Sequence, residues 1–207
     1  TSFMNSHMMK NSEWGAVAYL THSKYGLNGK EIAINNNGVP CYTGGGTGEA
    51  YRTNTKQSTT GNVYGIYDLS GNAYENIAVF NSVDTNGHFS SKGWTTATGL
   101  TTDSTSTKFA TKYNNTTSIY KGNNIIYILG KVGDATKEVN IGGSNNITST
   151  SFFNNWFSDY PDFAVSGYPF LARGGVYAND SGTGVFCAYN LHTVSYNYVS
   201  FRAVLDS

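Results

Sequence analysis

The stretch that decides the fold runs Asn62-Val-Tyr-Gly-Ile-Tyr-Asp-Leu-Ser-Gly-Asn-Ala-Tyr-Glu-Asn76. Apolar and polar residues alternate as far as Leu69, and the turn composition Ser70-Gly-Asn72 precedes a second short aromatic segment. Alternation bounded by turn residues is typical of β-strands. Gly71 and Asn72 are residue types that accept a positive φ. The stretch therefore predicts a strand, a turn and a second strand.

The composition around this stretch is that of a loop-rich domain with an aromatic core. Residues 1–207 fit one domain. Only 13% of the residues are charged, whereas Gly (24), Tyr (16) and Phe (11) are abundant. Thirteen basic residues balance thirteen acidic ones without a basic run, which argues against a nucleic-acid partner. No apolar run approaches the roughly 20 residues of a membrane span, so membrane insertion is not expected.

The local pattern is clearest upstream of the stretch. Ser12 is a natural N-cap, and four apolar residues follow it at helical spacing. We predict a helix over about 13–25 that ends at Gly26. Its core positions are Trp14, Val17, Ala18 and Tyr25.

Other segments give weaker signals. Residues 1–9 lack periodicity and predict an arm or the remains of an upstream segment, and Glu31–Ile34 predicts a short strand. Residues 81–107 predict a long surface excursion anchored by Trp94. The apolar run Ile125–Leu129 fits either a strand or a short helix.

Three segments resemble motifs of a known family. Tyr64-Gly-Ile-Tyr-Asp-Leu-Ser-Gly-Asn-Ala-Tyr-Glu75 resembles the Gly-Leu-Tyr-Asp-Met-x-Gly-Asn-Val-Trp-Glu-Trp signature of the formylglycine-generating enzymes, a branch of the C-type-lectin-like fold. Phe170-Leu-Ala-Arg-Gly-Gly175 and Phe201-Arg-Ala-Val-Leu205 are similar to the Arg-Gly-Gly and Gly-Phe-Arg ending of that family, in the same order. The resemblance implies a single α+β C-type-lectin-like domain, loop-rich, with short strands and about two helices.

The resemblance does not extend to the chemistry of the family. Its oxidases bind copper through two thiols placed between the Arg-Gly-Gly and the final Arg, but here that interval holds only Cys187. The other cysteine, Cys41, lies in a distant loop. A related branch binds iron through histidines, which show no ligand spacing here. We therefore predict no catalytic residue, no enzymatic activity and no cofactor apart from a structural calcium considered below. An oxidase is the first alternative. The histidines are His7, His22, His88 and His192.

The C-terminal interval resembles a different branch of the fold. Val176–Ser200 is an interval of 25 residues in which an unpatterned mixture surrounds a Gly-Thr-Gly-Val-Phe motif. The interval contains no Lys, Glu, Gln, Met or Trp. This looks like the variable region, about 176–200, of proteins diversified by retroelements, where randomised Asn-type codons exclude those five types. The resemblance implies a receptor-recognition protein of a phage virion or bacterial cell surface that binds a protein or glycan ligand on a target cell. The second alternative is an adhesin or virion structural protein without diversification.

The resemblance reaches the N-terminal half. Met9–Gly26 and Thr59–Gly71 look like segments of such variable proteins from gut Firmicutes and their phages. Those domains usually begin with a Trp-x-Gly-Lys-Tyr/Phe-Glu strand, which this chain lacks. Either the given sequence begins after that strand or the strand has been lost, and both alternatives predict an incomplete N-terminal edge of the fold.

Ten positions of the interval are the predicted ligand-binding residues. Tyrosines with small polar residues are the composition that antibody loops use for contact. Diversification is tolerated only outside the core, so we expect one solvent-facing patch whose combined replacement by Ala leaves the melting temperature unchanged. The alternate positions 194, 196 and 198 fit one face of a strand, and that face would point either to a partner or into the core. The ten are Tyr177, Asn179, Asp180, Cys187, Tyr189, Leu191, His192, Val194, Tyr196 and Tyr198. The expected scaffold is Gly174, Gly175, Gly182, Gly184, Phe186, Phe201 and Arg202.

The resemblance also implies a calcium site. The formylglycine-generating enzymes hold a structural calcium around the Gly-Asn-Ala-Trp-Glu turn, and an all-oxygen ligand set suits Ca²⁺. In the alternative reading, Asp68 caps the turn and Glu75 pairs with Arg173 or Arg202, without an ion. The positions that match the calcium site are Asp68, Gly71, Ala73 and Glu75.

Overall fold

The computed structural model describes a mixed α+β arrangement in which one helix packs beside short strands and long loops. The described residues are 5–38, 42–81, 109–113, 130–136, 156–160, 162–164, 170–179, 182–191 and 196–206. Their helix is α1 (Asn11–His22), and their strands are β1 (Asn5–Met8), β2 (Tyr74–Asn76), β3 (Val79–Asn81), β4 (Thr111–Tyr113), β5 (Phe170–Arg173), β6 (Ala188–Leu191), β7 (Val199–Phe201) and β8 (Ala203–Asp206). Short 3-10 turns lie at Ala50–Arg52, Thr55–Gln57 and Trp156–Ser158. The predictions for Trp94 and Ile125–Leu129 fall outside these ranges.

The strands form three small sheets. A four-stranded sheet has the order β6-β5-β2-β7, in which β7 runs parallel to β2 and the other pairs are antiparallel. β1 pairs antiparallel with β8, from Asn5 opposite Asp206 to Met8 opposite Ala203. β3 pairs parallel with β4. For residues 5–8 the expectation of an arm is therefore wrong, because these residues pair with a strand near the other end of the sequence.

Helix α1 begins and ends earlier than the pattern predicts. Lys10, not Ser12, is the N-cap, and Glu13 Oε2 accepts a hydrogen bond from the Lys10 backbone N–H at 2.8 Å. The helix ends at His22, so the exposed Tyr25 lies beyond the buried stripe. The buried stripe of the helix is Asn11, Trp14, Gly15, Ala18 and Thr21. Among the described residues there is one α-helix rather than about two.

Two predicted strands are absent from their expected positions. Glu31–Ile34 is irregular, and only Asn35 forms an isolated bridge, with Gly71. Residues 62–65 form bends and turns, where the Asn62 side chain accepts the Tyr64 N–H at 2.9 Å and bends the chain locally. The turn itself is confirmed, with φ of 84° at Gly71 and 63° at Asn72.

The main core joins the helix to the sheet. Trp14, Phe163 and Phe186 are almost fully buried in one cluster with Leu69 and Leu171. The Trp14 indole N–H donates to Val185 O at 2.7 Å. This hydrogen bond joins the helix to the segment that precedes β6. None of the helices in the described part of the chain has the length and apolar character required to cross a membrane.

A buried carboxyl lies beneath the same segment. Asp159 is fully buried, and its Oδ2 accepts the Phe186 backbone N–H at 2.8 Å while Oδ1 has no hydrogen-bond partner. A Cβ on Gly184 would lie 2.2 Å from either carboxyl oxygen, so only glycine fits there. Burial, with the nearby Glu31 charge, raises the pKa of Asp159 to about 8.

This raised pKa makes stability depend on pH. Between its ordinary pKa of 3.8 and about 8, Asp159 keeps its proton in the folded protein and loses it in the unfolded chain. Its contribution to stability is complete below pH 4 and is lost as the pH rises to about 8. We expect Asp159→Asn to gain stability relative to wild type from pH 5 to 8, in urea unfolding at each pH. Parallel profiles would contradict the assignment, and the exposed Glu49→Gln control should run parallel to wild type.

Candidate functional site

The C-terminal half and β2 enclose a cleft of about 470 Å³. Its walls come from the loop after β5, from β6, from β2 and from the turn before β7. We call it the tyrosine cleft, lined by Tyr74, Val176, Tyr177, Ala178, Asn179, Tyr189, Asn190, Leu191, Tyr196 and Tyr198. This volume lies within the range of small-molecule sites.

The Arg-Gly-Gly motif builds the floor behind the cleft. Arg173 is fully buried and donates to Ala135 O at 3.0 Å and Val185 O at 3.3 Å. Gly174 and Gly175 have φ of 83° and 75°, and a Cβ on Gly175 would lie 2.8 Å from the Thr183 side chain. Glycine is therefore required for the chain to turn from β5 into the cleft wall.

Strand pairing brings the tyrosines together. β5 places Ala172 opposite Tyr189, and alternation along β6 puts Tyr189 and Leu191 on one face. The Tyr74 N–H donates to Tyr198 O at 2.9 Å, which fixes the turn before β7 against β2. The cleft therefore depends on the four-stranded sheet.

The aromatic rings form a continuous row. Tyr196 stacks on Tyr198 with centroids 4.8 Å apart and planes 9° apart. Tyr74 stacks on Tyr189 at 4.9 Å and 23°, and it lies 6.3 Å from Tyr198. Tyr160 continues the row at 5.7 Å from Tyr189. Such a row offers a rigid surface at low entropy cost.

The polar groups of the cleft are amides and phenols. The Asn179 amide donates to the Tyr74 hydroxyl, and Asn190 Nδ2 donates to Phe163 O at 3.2 Å. Burial raises the pKa of Tyr74, so its phenol stays protonated. The ten lining residues include no Asp, Glu, Lys, Arg or His. The lining is thus uncharged as far as the structure describes it, and Asp180 and His192, which adjoin lining residues in the sequence, lie outside that description.

The structure brings six of the ten predicted residues into this cleft. They are Tyr177, Asn179, Tyr189, Leu191, Tyr196 and Tyr198. Asp180, His192 and Val194 lie outside the described ranges. The tyrosines at 196 and 198 belong to a turn rather than to one strand face, and their side chains meet because the turn folds them together.

Two of the predicted contact residues are buried, contrary to the expectation of a solvent-facing patch. Cys187 is 0% exposed, inside the core beside Phe186, and burial raises the pKa of its thiol. Leu191 is 8% exposed and packs with Tyr74 and Ala172. The expected scaffold residue Phe201 is instead exposed. Replacing all ten residues at once is therefore not expected to leave stability unchanged.

This division predicts different stability costs inside the cleft. Leu191→Ala removes a packed side chain and should lower the free energy of unfolding by about 2 kcal/mol. Tyr196→Ala removes a ring that is 39% exposed and should cost less than about 1 kcal/mol. Urea unfolding of both variants checks the order. A larger loss for Tyr196→Ala would place that ring in the core.

Sequence reasoning missed four lining residues. Tyr74 lies in a motif far from the variable interval. No local pattern links Tyr74 to that interval, because the contact between them depends on the pairing of β2 with β5 and β7. Asn190 could have been predicted from the sequence, since it lies between the two predicted positions Tyr189 and Leu191. The missed residues are Tyr74, Val176, Ala178 and Asn190.

Protein donors already engage the carboxylates of the expected calcium site. Asp68 Oδ1 accepts from Asn35 Nδ2 at 3.0 Å and from Gly44 N at 3.3 Å. Both oxygens of Glu75 accept from the Arg202 guanidinium, with Oε2 at 2.7 Å from Nε. Burial raises the pKa of Glu75 and Arg202 opposes this shift. Of the two basic partners considered, Glu75 therefore pairs with Arg202.

These side-chain contacts favour the alternative without an ion. The Gly71 N–H also donates to Gly174 O at 2.9 Å, which joins the turn to the Arg-Gly-Gly motif. Within the described ranges, no three His, Cys, Asp or Glu side chains are grouped to hold a metal. His7 instead contacts Glu13 at 2.8 Å, and His22 stacks on Phe157 at 4.8 Å.

Calcium is therefore expected to leave the thermal stability unchanged. A structural ion that binds only the folded state would raise the melting temperature by mass action. Melts in millimolar calcium and in chelator should superimpose. A higher melting temperature in calcium, lost in Asp68→Asn, would instead place an ion at this turn.

No protein-family model matches the chain, and the search of curated proteins finds no similar sequence.

Proposed function

We propose that this chain is a C-type-lectin-like domain that binds a ligand on a target-cell surface through the tyrosine cleft, and that a retroelement diversifies this cleft. The observation that carries the proposal is a difference in burial between residues 173 and 198. Five side chains of the unpatterned mixture line the cleft and are exposed or half-buried, namely Tyr177, Asn179, Tyr189, Tyr196 and Tyr198. The motif residues Arg173, Gly184 and Phe186 are buried. Such a difference permits replacement of contact residues without loss of the frame.

The nature of the contact residues also supports ligand binding. Tyr177, Tyr189 and Tyr198 are half-buried, and Tyr196 and Asn179 are exposed. Large rings held in place by stacking lose little entropy on binding, and an exposed amide adapts its hydrogen bonds. The domain belongs, in this proposal, on a phage virion or a bacterial cell surface.

The chain offers less support for an oxidase. A copper-binding thiol pair needs an accessible thiolate, but Cys187 is fully buried and its pKa is raised. Metal analysis of the purified protein tests this alternative. Copper or iron in stoichiometric amount, lost in Cys187→Ala, would favour the oxidase.

The genomic locus tests the diversification. We expect a reverse transcriptase gene near this one, and a second copy of the segment that encodes the C-terminal tail, nearly identical but with adenines at the altered codons. A locus with neither element would overturn the proposed diversification.

A further inference from the structure

We infer that Tyr74 is a positioning residue of the tyrosine cleft, which holds contact residues from three separate segments in one arrangement before a ligand arrives. Tyr74 itself lies outside the variable interval 176–200. The inference rests on the proposed function, because it takes the cleft to be the binding surface. It adds a determinant of affinity that the variable interval does not encode.

The sheet fixes the backbone of Tyr74. Its strand, β2, lies between β5 and β7 in the four-stranded sheet. The Tyr74 N–H donates to Tyr198 O at 2.9 Å, and the Ser200 hydroxyl donates to Tyr74 O at 3.3 Å. Strands bonded on both sides are among the least mobile parts of a fold. The ring of Tyr74 therefore projects from a fixed position.

The Tyr74 side chain contacts three segments of the cleft wall. Its hydroxyl accepts an amide N–H from Asn179, in the loop after β5. Its ring stacks on Tyr189 of β6, with centroids 4.9 Å apart and planes 23° apart. It also lies 6.3 Å from the ring of Tyr198, in the turn before β7. All three partners are predicted ligand contacts, so one side chain outside the interval links contact residues from every part of it that lines the cleft.

These contacts act on side chains that solvent reaches. Asn179 is exposed, and Tyr189 and Tyr198 are half-buried. Ordering a mobile side chain during binding opposes binding. Contact with Tyr74 restricts these side chains in the free protein already, so less entropy is lost when a ligand binds. Tyr74 is only 5% exposed, and it therefore influences affinity through its partners rather than through its own contact with the ligand.

The first test uses the whole chain without a ligand. Tyr74→Phe keeps the ring but removes the hydroxyl that accepts from Asn179. In NMR relaxation we expect the Asn179 side-chain amide to become mobile, whereas the Asn190 amide, which donates to Phe163 O at 3.2 Å, stays ordered. Tyr74→Leu, which also removes the ring, should in addition mobilise the rings of Tyr189 and Tyr198. An Asn179 amide that is equally ordered in Tyr74→Phe and wild type would overturn the inference.

The matched control is Tyr67→Phe. Tyr67 belongs to the same stretch of sequence, is 9% exposed and donates its hydroxyl to Tyr51 O at 2.8 Å, outside the cleft. This variant therefore also loses the hydroxyl of a buried tyrosine. It should leave the Asn179 amide as ordered as in wild type. An equal loss of order in both variants would show that Tyr74 has only the general structural role of a buried tyrosine.

The second test measures affinity with selected peptides as probes. Peptides from a random-peptide display library are selected on the wild-type chain, and those that Tyr196→Ala weakens are kept as cleft binders. Tyr74→Phe should weaken them about fivefold in calorimetry, as expected when one more side chain must be ordered on binding. Tyr74→Leu should weaken them further, and Tyr67→Phe should bind them like wild type. Wild-type affinity in both Tyr74 variants would contradict the positioning role.

The two proposals fail separately. If sibling genes vary at the cleft positions but the Asn179 amide stays ordered in Tyr74→Phe, only the positioning role is wrong. If Tyr74→Phe releases Asn179 but the locus lacks a reverse transcriptase, only the diversification is wrong. A library that yields no cleft binder counts against ligand binding by the cleft, and the relaxation measurement then decides the role of Tyr74.

Discussion

Gly15→Ala is expected to lower the free energy of unfolding by about 3 kcal/mol or more. A Cβ at this position would lie 2.2 Å from Gly133 O and 2.7 Å from the Cα and carbonyl carbon of Asp134. All three atoms belong to the backbone, so no side-chain rotation relieves the overlap. The helix must move away from the 130–136 segment, which disturbs the contact between Trp14 and Val185.

The control for this variant is Ser12→Ala, in the first turn of the same helix. Ser12 is exposed, and its replacement should change stability by no more than about 0.5 kcal/mol. Urea unfolding of the two variants measures the difference. Equal stability of Gly15→Ala and wild type would show that α1 does not approach residues 133 and 134 as closely as described.

Glu75→Gln is expected to lower the free energy of unfolding by about 3 kcal/mol. Side chains of Glu75 and Arg202 are 6% and 29% exposed, and breaking a buried ion pair leaves one charge without its partner. Arg202 also donates to Tyr67 O at 2.9 Å, so its guanidinium joins β2, the turn-rich stretch before it and the segment between β7 and β8. The variant should therefore loosen the frame of the cleft as well as destabilise the fold.

The chain supplies a matched control for the same substitution. Glu49 and Arg52 form an ion pair at 3.1 Å whose side chains are 64% and 63% exposed. Glu49→Gln should cost less than about 0.5 kcal/mol because solvent screens this pair. Thermal and urea unfolding at pH 7 compare the variants, and an equal loss for both would show that burial does not strengthen the Glu75 pair.

Local chemistry made part of the fold predictable. Glycine and asparagine at 71 and 72 adopt the positive φ that their residue types allow, and the helical spacing of Trp14 and Ala18 marks the buried side of α1. The helix end was less predictable, because Ser23 stops the helix through its own hydroxyl bond to Leu20 O at 2.6 Å, before Gly26 is reached.

Long-range pairing was the part that periodicity did not reveal. The order of residues 5–8 comes from β8 at the opposite end of the sequence. The alternation after Asn62 suggested a strand, but a strand is stabilised by a partner, and the described contacts there are local turns with one bridge between Ser58 and Tyr67. Short alternating runs do not specify a partner.

At the candidate site, too, local composition was informative and long-range contacts were not. Composition indicated the tyrosines of the tail, but it did not separate Cys187 and Leu191, which are buried, from Tyr196, which is exposed. Tyr74 bonds to Asn179 across 105 positions of sequence. Burial and such contacts arise from the order of strands in the sheet, which the tail alone does not encode.

The most direct test of the claim that the tyrosine cleft is a diversified binding surface is to sequence the codons for residues 170–206 in many sibling genomes. We predict that replacements concentrate at positions 177, 179, 189, 196 and 198, whereas Arg173, Phe186 and Arg202 do not vary. A tail that is identical in all siblings, or replacements spread equally over buried and exposed positions, would contradict the claim.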